Sequence, residues 1–147
     1  MKKCIFTYNK AKNSGTGAAI MLIGSTLTVS DSTFTKNQAG HCAGVINGYS
    51  SKVTVTNCIF KNNKAGSEGG AISSGNSTLT VTKSTFDKNQ ANTKGGAIYI
   101  WSTTAKITDS KFNKNIAGKK YNAIDKDKKS KLTTKNVKIS PKDGTKV

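Results

Sequence analysis

Apolar and polar residues alternate in short bursts along this chain, at a fixed interval. The pairs Leu27/Val29, Val53/Val55, Leu79/Val81, Ala105/Ile107 and Leu132/Thr134 interleave with Thr28/Ser30, Thr54/Thr56, Thr80/Thr82, Lys106/Thr108 and Thr133/Lys135. Period-two alternation rich in β-branched residues predicts strands with one buried face. Seven residues after each leading member comes an aromatic or aliphatic anchor. Five anchors open the motif F-x-x-N-x-A: Phe6-Asn9-Ala11, Phe34-Asn37-Ala39, Phe60-Asn63-Ala65, Phe86-Asn89-Ala91 and Phe112-Asn115-Ala117. The Phe-to-Phe steps are 28, 26, 26 and 26, and all 5 Phe of the chain fill this one slot. Ile139 takes the slot once more. A glycine-led anchor follows nine residues after Phe, as Gly69-Gly70-Ala71-Ile72 and Gly95-Gly96-Ala97-Ile98, with weaker copies at Ala43–Ile46 and Tyr121–Ile124. In the first repeat, Gly17-Ala18-Ala19-Ile20 arrives two residues late, which accounts for the longer step. No helical period persists anywhere.

A repeat of ~26 residues cannot bury an apolar stripe by itself, but stacked repeats can. At ~4.8 Å per layer each strand pairs with its equivalent above and below. The expected fold is therefore all-β: a right-handed parallel β-helix (β-solenoid) of about five coils, with about three short strands per coil. Phe6, Phe34, Phe60, Phe86 and Phe112 should stack in the interior. Asn9, Asn37, Asn63, Asn89 and Asn115 should form a corner ladder, with amides bonding to one another or to the backbone. Gly44, Gly70 and Gly96 suit a corner that needs positive φ or close approach. Residues 1–140 read as a single repeat domain and 141–147 as a lysine-rich C-terminal tail. Cys4-Ile5-Phe6 opens inside a repeat, so a bare strand edge and end-to-end self-association are expected at that end.

The pairing of F-x-x-N with G-G-A-I resembles the polymorphic outer membrane protein repeat. The fuller unit, as in Ser77 to Ile98, is similar to repeats of adhesin-like surface proteins of methanogenic archaea and of autotransporter passenger domains. The resemblance covers about residues 4–140. It implies a β-helix on a cell surface or secreted, as part of a larger protein, with adhesion as the usual role. No signal peptide, membrane anchor or translocator reads from this chain.

Composition first points elsewhere. The chain is 34% apolar and 7% aromatic, with a formal net charge of +17, and low hydrophobicity with high charge is the signature of disorder. The repeat overturns that reading, because the scarce apolar residues fall in inward slots. All of the 24 Lys+Arg residues are lysine, which excludes any mechanism needing an arginine clamp. No run approaches the ~20 apolar residues of a membrane helix, so no membrane insertion is expected.

Candidate chemistry is sparse. Cys4 and Cys58 share the slot two before Phe, where Ser32, Ser84 and Ser110 stand, and two coils separate them. That is too far for a disulfide, so the cysteines read as small stacked residues. His41 adjoins Cys42, but neighbours on a strand point to opposite faces, so no nucleophilic pair is expected. Glycosidase chemistry needs paired carboxylates. Asp31 and Asp109 share a slot three coils apart, while Asp125 and Asp127 sit in a lysine run. No metal motif or cofactor site is read.

Lys36, Lys88 and Lys114 share the slot two after Phe. With Lys10, Lys61 and Lys64 they predict a basic stripe for an anionic polysaccharide or cell-surface polymer. Sequence-specific nucleic-acid binding is not expected without arginine or interleaved aromatics. The outward Thr pairs resemble an ice-binding array, interrupted by Lys106 and Lys135. Asn76-Ser77-Thr78 is a lone glycosylation sequon. The reading that results is a non-catalytic, adhesin-like surface module. Its alternatives are a polysaccharide lyase-like β-helix and a structural spacer rod.

Overall fold

A computed structural model describes residues 1–141; most of the expected tail at 141–147 lies outside the described residues. The chain forms a parallel β-solenoid whose coils each cross four sheets, where three strands per coil were expected. The fourth strand is only two residues long. It falls on the x-A of F-x-x-N-x-A, as in Lys64–Ala65 and Gln90–Ala91, too short to leave an alternation in the sequence.

The Phe sheet stacks Ile5–Thr7, Thr33–Thr35, Ile59–Lys61, Thr85–Asp87, Lys111–Asn113 and Lys138–Ser140. Phe6 pairs with Phe34, Phe60 with Phe86 and Phe112 with Ile139 in exact register of the repeat. Between Phe34 and Phe112 the ring centroids are 4.7 Å apart and the planes within 10°. That distance is the layer spacing of the sheet itself, so rings stack without distorting the ladder. The Thr sheet runs through Thr26–Ser30, Lys52–Thr56, Thr78–Thr82, Thr104–Thr108 and Lys131–Lys135. Its inward residues Val29, Val53, Val55, Leu79, Val81 and Ile107 are fully buried. The remaining long sheet joins Ile20–Ile23, Ile46–Tyr49, Ile72–Gly75, Ile98–Trp101 and Ile124–Lys126. Its inward Ile46, Ile72, Ile98 and Ile124 close the core.

Three side-chain ladders hold the corners between sheets. In the first, the Asn63 amide accepts from the Asn37 main-chain N–H at 2.9 Å and donates to Asn89 Oδ1 at 2.9 Å and to the Phe34 carbonyl at 3.0 Å. Asn37 and Asn89 repeat this pattern. A second ladder uses the slot two before Phe. The Cys4, Cys58 and Ser84 N–H groups donate to the hydroxyls of Ser32, Ser84 and Ser110. A third passes through Ser25, Ser51, Ser77, Thr103 and Ser130, each N–H donating to the next hydroxyl at 2.9–3.3 Å. These bonds satisfy main-chain donors that the sheets leave behind at each bend.

The glycine expectation divides. Gly69 and Gly95 hold φ of 66° and 57°, whereas Gly44, Gly70 and Gly96 serve close approach. A Cβ at Gly70 would run into the Gly96 carbonyl and the Gln90 backbone. Most other positive-φ corners carry no glycine. Asp31, Asn57, Lys83, Asp109 and Asn136 stack in one column at φ of 50–53°. At the far end, Lys120–Tyr121 turns back antiparallel onto Ile116–Ala117, so the short sheet ends in a hairpin there.

Candidate functional site

The fold spends its apolar residues on the interior, so any ligand chemistry lies on the lateral surface. The six lysines singled out by the repeat are all exposed, but they do not form one row. Lys36, Lys88 and Lys114 share a corner column at φ of 50–56°, and Asn62 interrupts it. Lys10 and Lys64 stand in the next column, aligned with Gln38 and Gln90. Lys61 stands in the preceding one, between Thr35 and Asp87. The stripe is thus a patchwork over three adjacent columns. Lys36 Nζ donates to the Tyr8 hydroxyl at 2.8 Å and sits 5.1 Å from that ring's centroid.

The described carboxylates are each engaged by their own neighbours. Asp31, Asp87 and Asp109 accept from the amides of Asn57, Asn113 and Asn136 at 2.7, 2.6 and 2.9 Å. Glu68 pairs with Lys94 at 3.5 Å. Asp125 accepts from the Lys126 N–H, and Asp127 from the Ser102 N–H and the Ser130 N–H and hydroxyl. The hydrogen bond from Asn57 holds the Asp31 carboxyl below its ordinary range, and that from Ser130 does the same for Asp127. Among the described residues, no group of three His, Cys, Asp or Glu is placed to hold a metal ion, and no helix is long and apolar enough to cross a membrane.

One expectation is overturned by the geometry. His41 and Cys42 do meet, with His41 Nδ1 3.0 Å from Cys42 Sγ. The segment is a bend and not a strand, so strand alternation does not separate the two side chains. Burial, followed by the Glu68 charge, pushes the Cys42 thiol up. The thiol is held protonated, which is the opposite of an activated nucleophile. Cys4, Cys42 and Cys58 are all free, and burial also raises the Cys58 thiol.

Beside this pair lies a groove of about 320 Å³ that the sequence pattern did not reveal. Its floor is the outward column Met21–Asn47–Ser73 of the Ile20–Ile124 sheet. One wall is Thr16, His41 and Cys42; the other is Tyr49, Gly75 and Trp101. Tyr49, Gly75 and Trp101 are register partners on successive coils. Gly75 leaves the space that the Trp101 indole fills, since a Cβ there would overlap the ring. The two rings close over this gap to 5.7 Å between centroids at a tilt of 32°. The signal was present in the repeat: Tyr49, Gly75 and Trp101 each stand fifteen after their Phe.

The family model described as a right handed beta helix region matches residues 1–117. No curated protein and no solved structure matches the chain.

Proposed function

The chain belongs to the right-handed β-helix family, and from that premise we propose that it is a non-catalytic, adhesin-like cell-surface module that binds an anionic polymer. The repeat type, F-x-x-N with G-G-A-I, belongs to the same proposal. The observation that carries it is the exposure of Lys10, Lys36, Lys61, Lys64, Lys88 and Lys114 on three adjacent columns of a rod with a fixed layer spacing. Exposed ammonium groups repeated along a rigid axis concentrate a polyanion by summed weak contacts. The lyase reading finds less support, because the described carboxylates are bonded to their own neighbours and are not grouped as a cation-assisted lyase would need. End-to-end association of rods belongs to this proposal as well.

The test is retention of the isolated rod on uronic-acid polysaccharides and on cells across a salt series. Binding should be present at low salt and fall steeply with added salt. The variant carrying Lys36→Gln, Lys88→Gln and Lys114→Gln should lose most of it. No retention even at the lowest salt would leave only a spacer rod. Incubation with the same polymers separates the lyase: unsaturated uronate ends, seen by their ultraviolet absorbance, would sink the non-catalytic reading.

A further inference from the structure

We propose that the Tyr49–Trp101 groove is a second, uncharged ligand site, which takes a pyranose ring of a neutral saccharide. The inference goes beyond the polyanion-binding reading and concerns a different face and a different force.

Charge is the first argument. The chain carries 24 lysines and a net charge of +17, yet no Lys, Asp or Glu lines this groove. An anionic ligand would find no counter-charge there, and a cationic one no carboxylate. Shape is the second. Tyr49 is 42% exposed and leans with Trp101 into a shallow V over Gly75. Gly75 leaves the room in which the indole lies, since a Cβ there would overlap the ring, and the two rings take up this arrangement with no ligand present. The floor beneath the rings supplies the polar groups. Ser73 lines the groove with its hydroxyl-bearing side chain. The Asn47 amide donates only to the Met21 thioether at 3.3 Å, a weak acceptor that a hydroxyl readily replaces.

A pyranose ring has the matching distribution. One face presents C–H groups, which favour the negative π-face of an aromatic ring, and its edge presents hydroxyls. A volume near ~300 Å³ sits at the small end of specific ligand sites, enough for one ring with its neighbours in the chain left outside. A planar nucleobase would also stack, but its phosphate would need the lysines that this groove lacks.

Trp101 is the sole tryptophan, so fluorescence excited at the red edge, where tyrosine does not absorb, reports on this site alone. Titration with cellohexaose, chitohexaose and mannohexaose should give a saturable change for at least one of them. The affinity should be the same at low and high salt, because no charge is exchanged. Tyr49→Ala keeps the reporter and should weaken binding at least tenfold. Trp101→Ala, followed by calorimetry and checked for fold by circular dichroism, should abolish it. Three results would overturn the proposal: no spectral change with any neutral hexasaccharide, affinity unaltered in Tyr49→Ala, or a response only to oligogalacturonate that fades with salt. The last would leave the lysine reading standing, while salt-independent binding of a neutral sugar together with no retention on polyanions would sink that reading and leave this one.

Discussion

Replacing Asn63 by alanine isolates what the corner ladder contributes to stability. Asn63 Oδ1 accepts from the Asn37 main-chain N–H at 2.9 Å and from Asn37 Nδ2 at 3.0 Å. Asn63 Nδ2 donates to the Phe34 carbonyl and to Asn89 Oδ1. Truncation removes all four bonds at a fully buried position. Asn37 Nδ2 keeps the Phe6 carbonyl, and Asn89 Oδ1 keeps the Asn63 N–H. The Asn37 N–H is left without its acceptor. An orphaned buried donor costs ~1–3 kcal/mol and each of the three further lost bonds ~0.5–1.5 kcal/mol, so the sum is about 2.5–7.5 kcal/mol. Asn9 supplies the control. Its side chain makes one bond, to Asn37 Oδ1 at 2.8 Å, and it is half-buried. Asn9→Ala should cost only about 0.5–1 kcal/mol. Urea unfolding followed by circular dichroism and by Trp101 fluorescence measures both variants, and two probes are needed because stacked repeats unfold in sections. If Asn63→Ala and Asn9→Ala fall within about 1 kcal/mol of each other, the ladder argument fails.

Further outcomes follow from single sites. The Ser74 hydroxyl is buried without a partner, so Ser74→Ala should stabilise by about 1 kcal/mol, and a loss of stability in urea would contradict the assignment. Gly70→Ala should prevent soluble folding or cost several kcal/mol, while Gly24→Ala, with open space around its Cβ, should cost only the ~1–2 kcal/mol of a left-handed residue; equal effects would refute the close-approach reading. In Ellman's assay the buried Cys58 should react only as the protein unfolds, and Cys42, measured in a Cys4→Ser background, more slowly than a free thiol. Fast reaction at Cys42 would mean that His41 activates it after all. Acid should destabilise the rod through Asp31 and Asp127. Their folded-state values lie below the ordinary carboxylate value, so their contribution is present above ~4 and is lost as pH falls through the folded values. Asp127→Asn should flatten that fall in melting temperature, and parallel curves would remove Asp127 from the account.

The spacing of Phe, Asn and the alternating Leu/Val pairs was enough to reach the solenoid, because every Phe falls in one slot and the Asn and the Leu/Val pairs keep fixed distances from it. The hydroxyl ladders were not legible. Ser25, Ser51, Ser77, Thr103 and Ser130 are indistinguishable by composition from the outward Thr and Ser around them. The groove escaped for a different reason. Its column reads Ile23, Tyr49, Gly75 and Trp101, four unlike residues, and repeats are found by likeness. The His41–Cys42 contact escaped because strand alternation was applied to a pair that lies in a bend. The lysines kept their predicted columns, but strand lengths of two and three residues spread them around a corner.

All three ladders point the same way. In every rung the main-chain N–H belongs to one coil and the oxygen that receives it to the side chain of the following coil, from Asn9 to Asn37, Cys4 to Ser32 and Ser25 to Ser51 onward. The rod therefore has a polarity like that of a filament with unlike ends. As a ribosome feeds the chain out, each coil waits for its successor before its three corner donors are quenched, and the growing tip is always the unfinished one. At the last rung of the third ladder, the Ser130 N–H donates instead to the Asp127 carboxylate of its own layer.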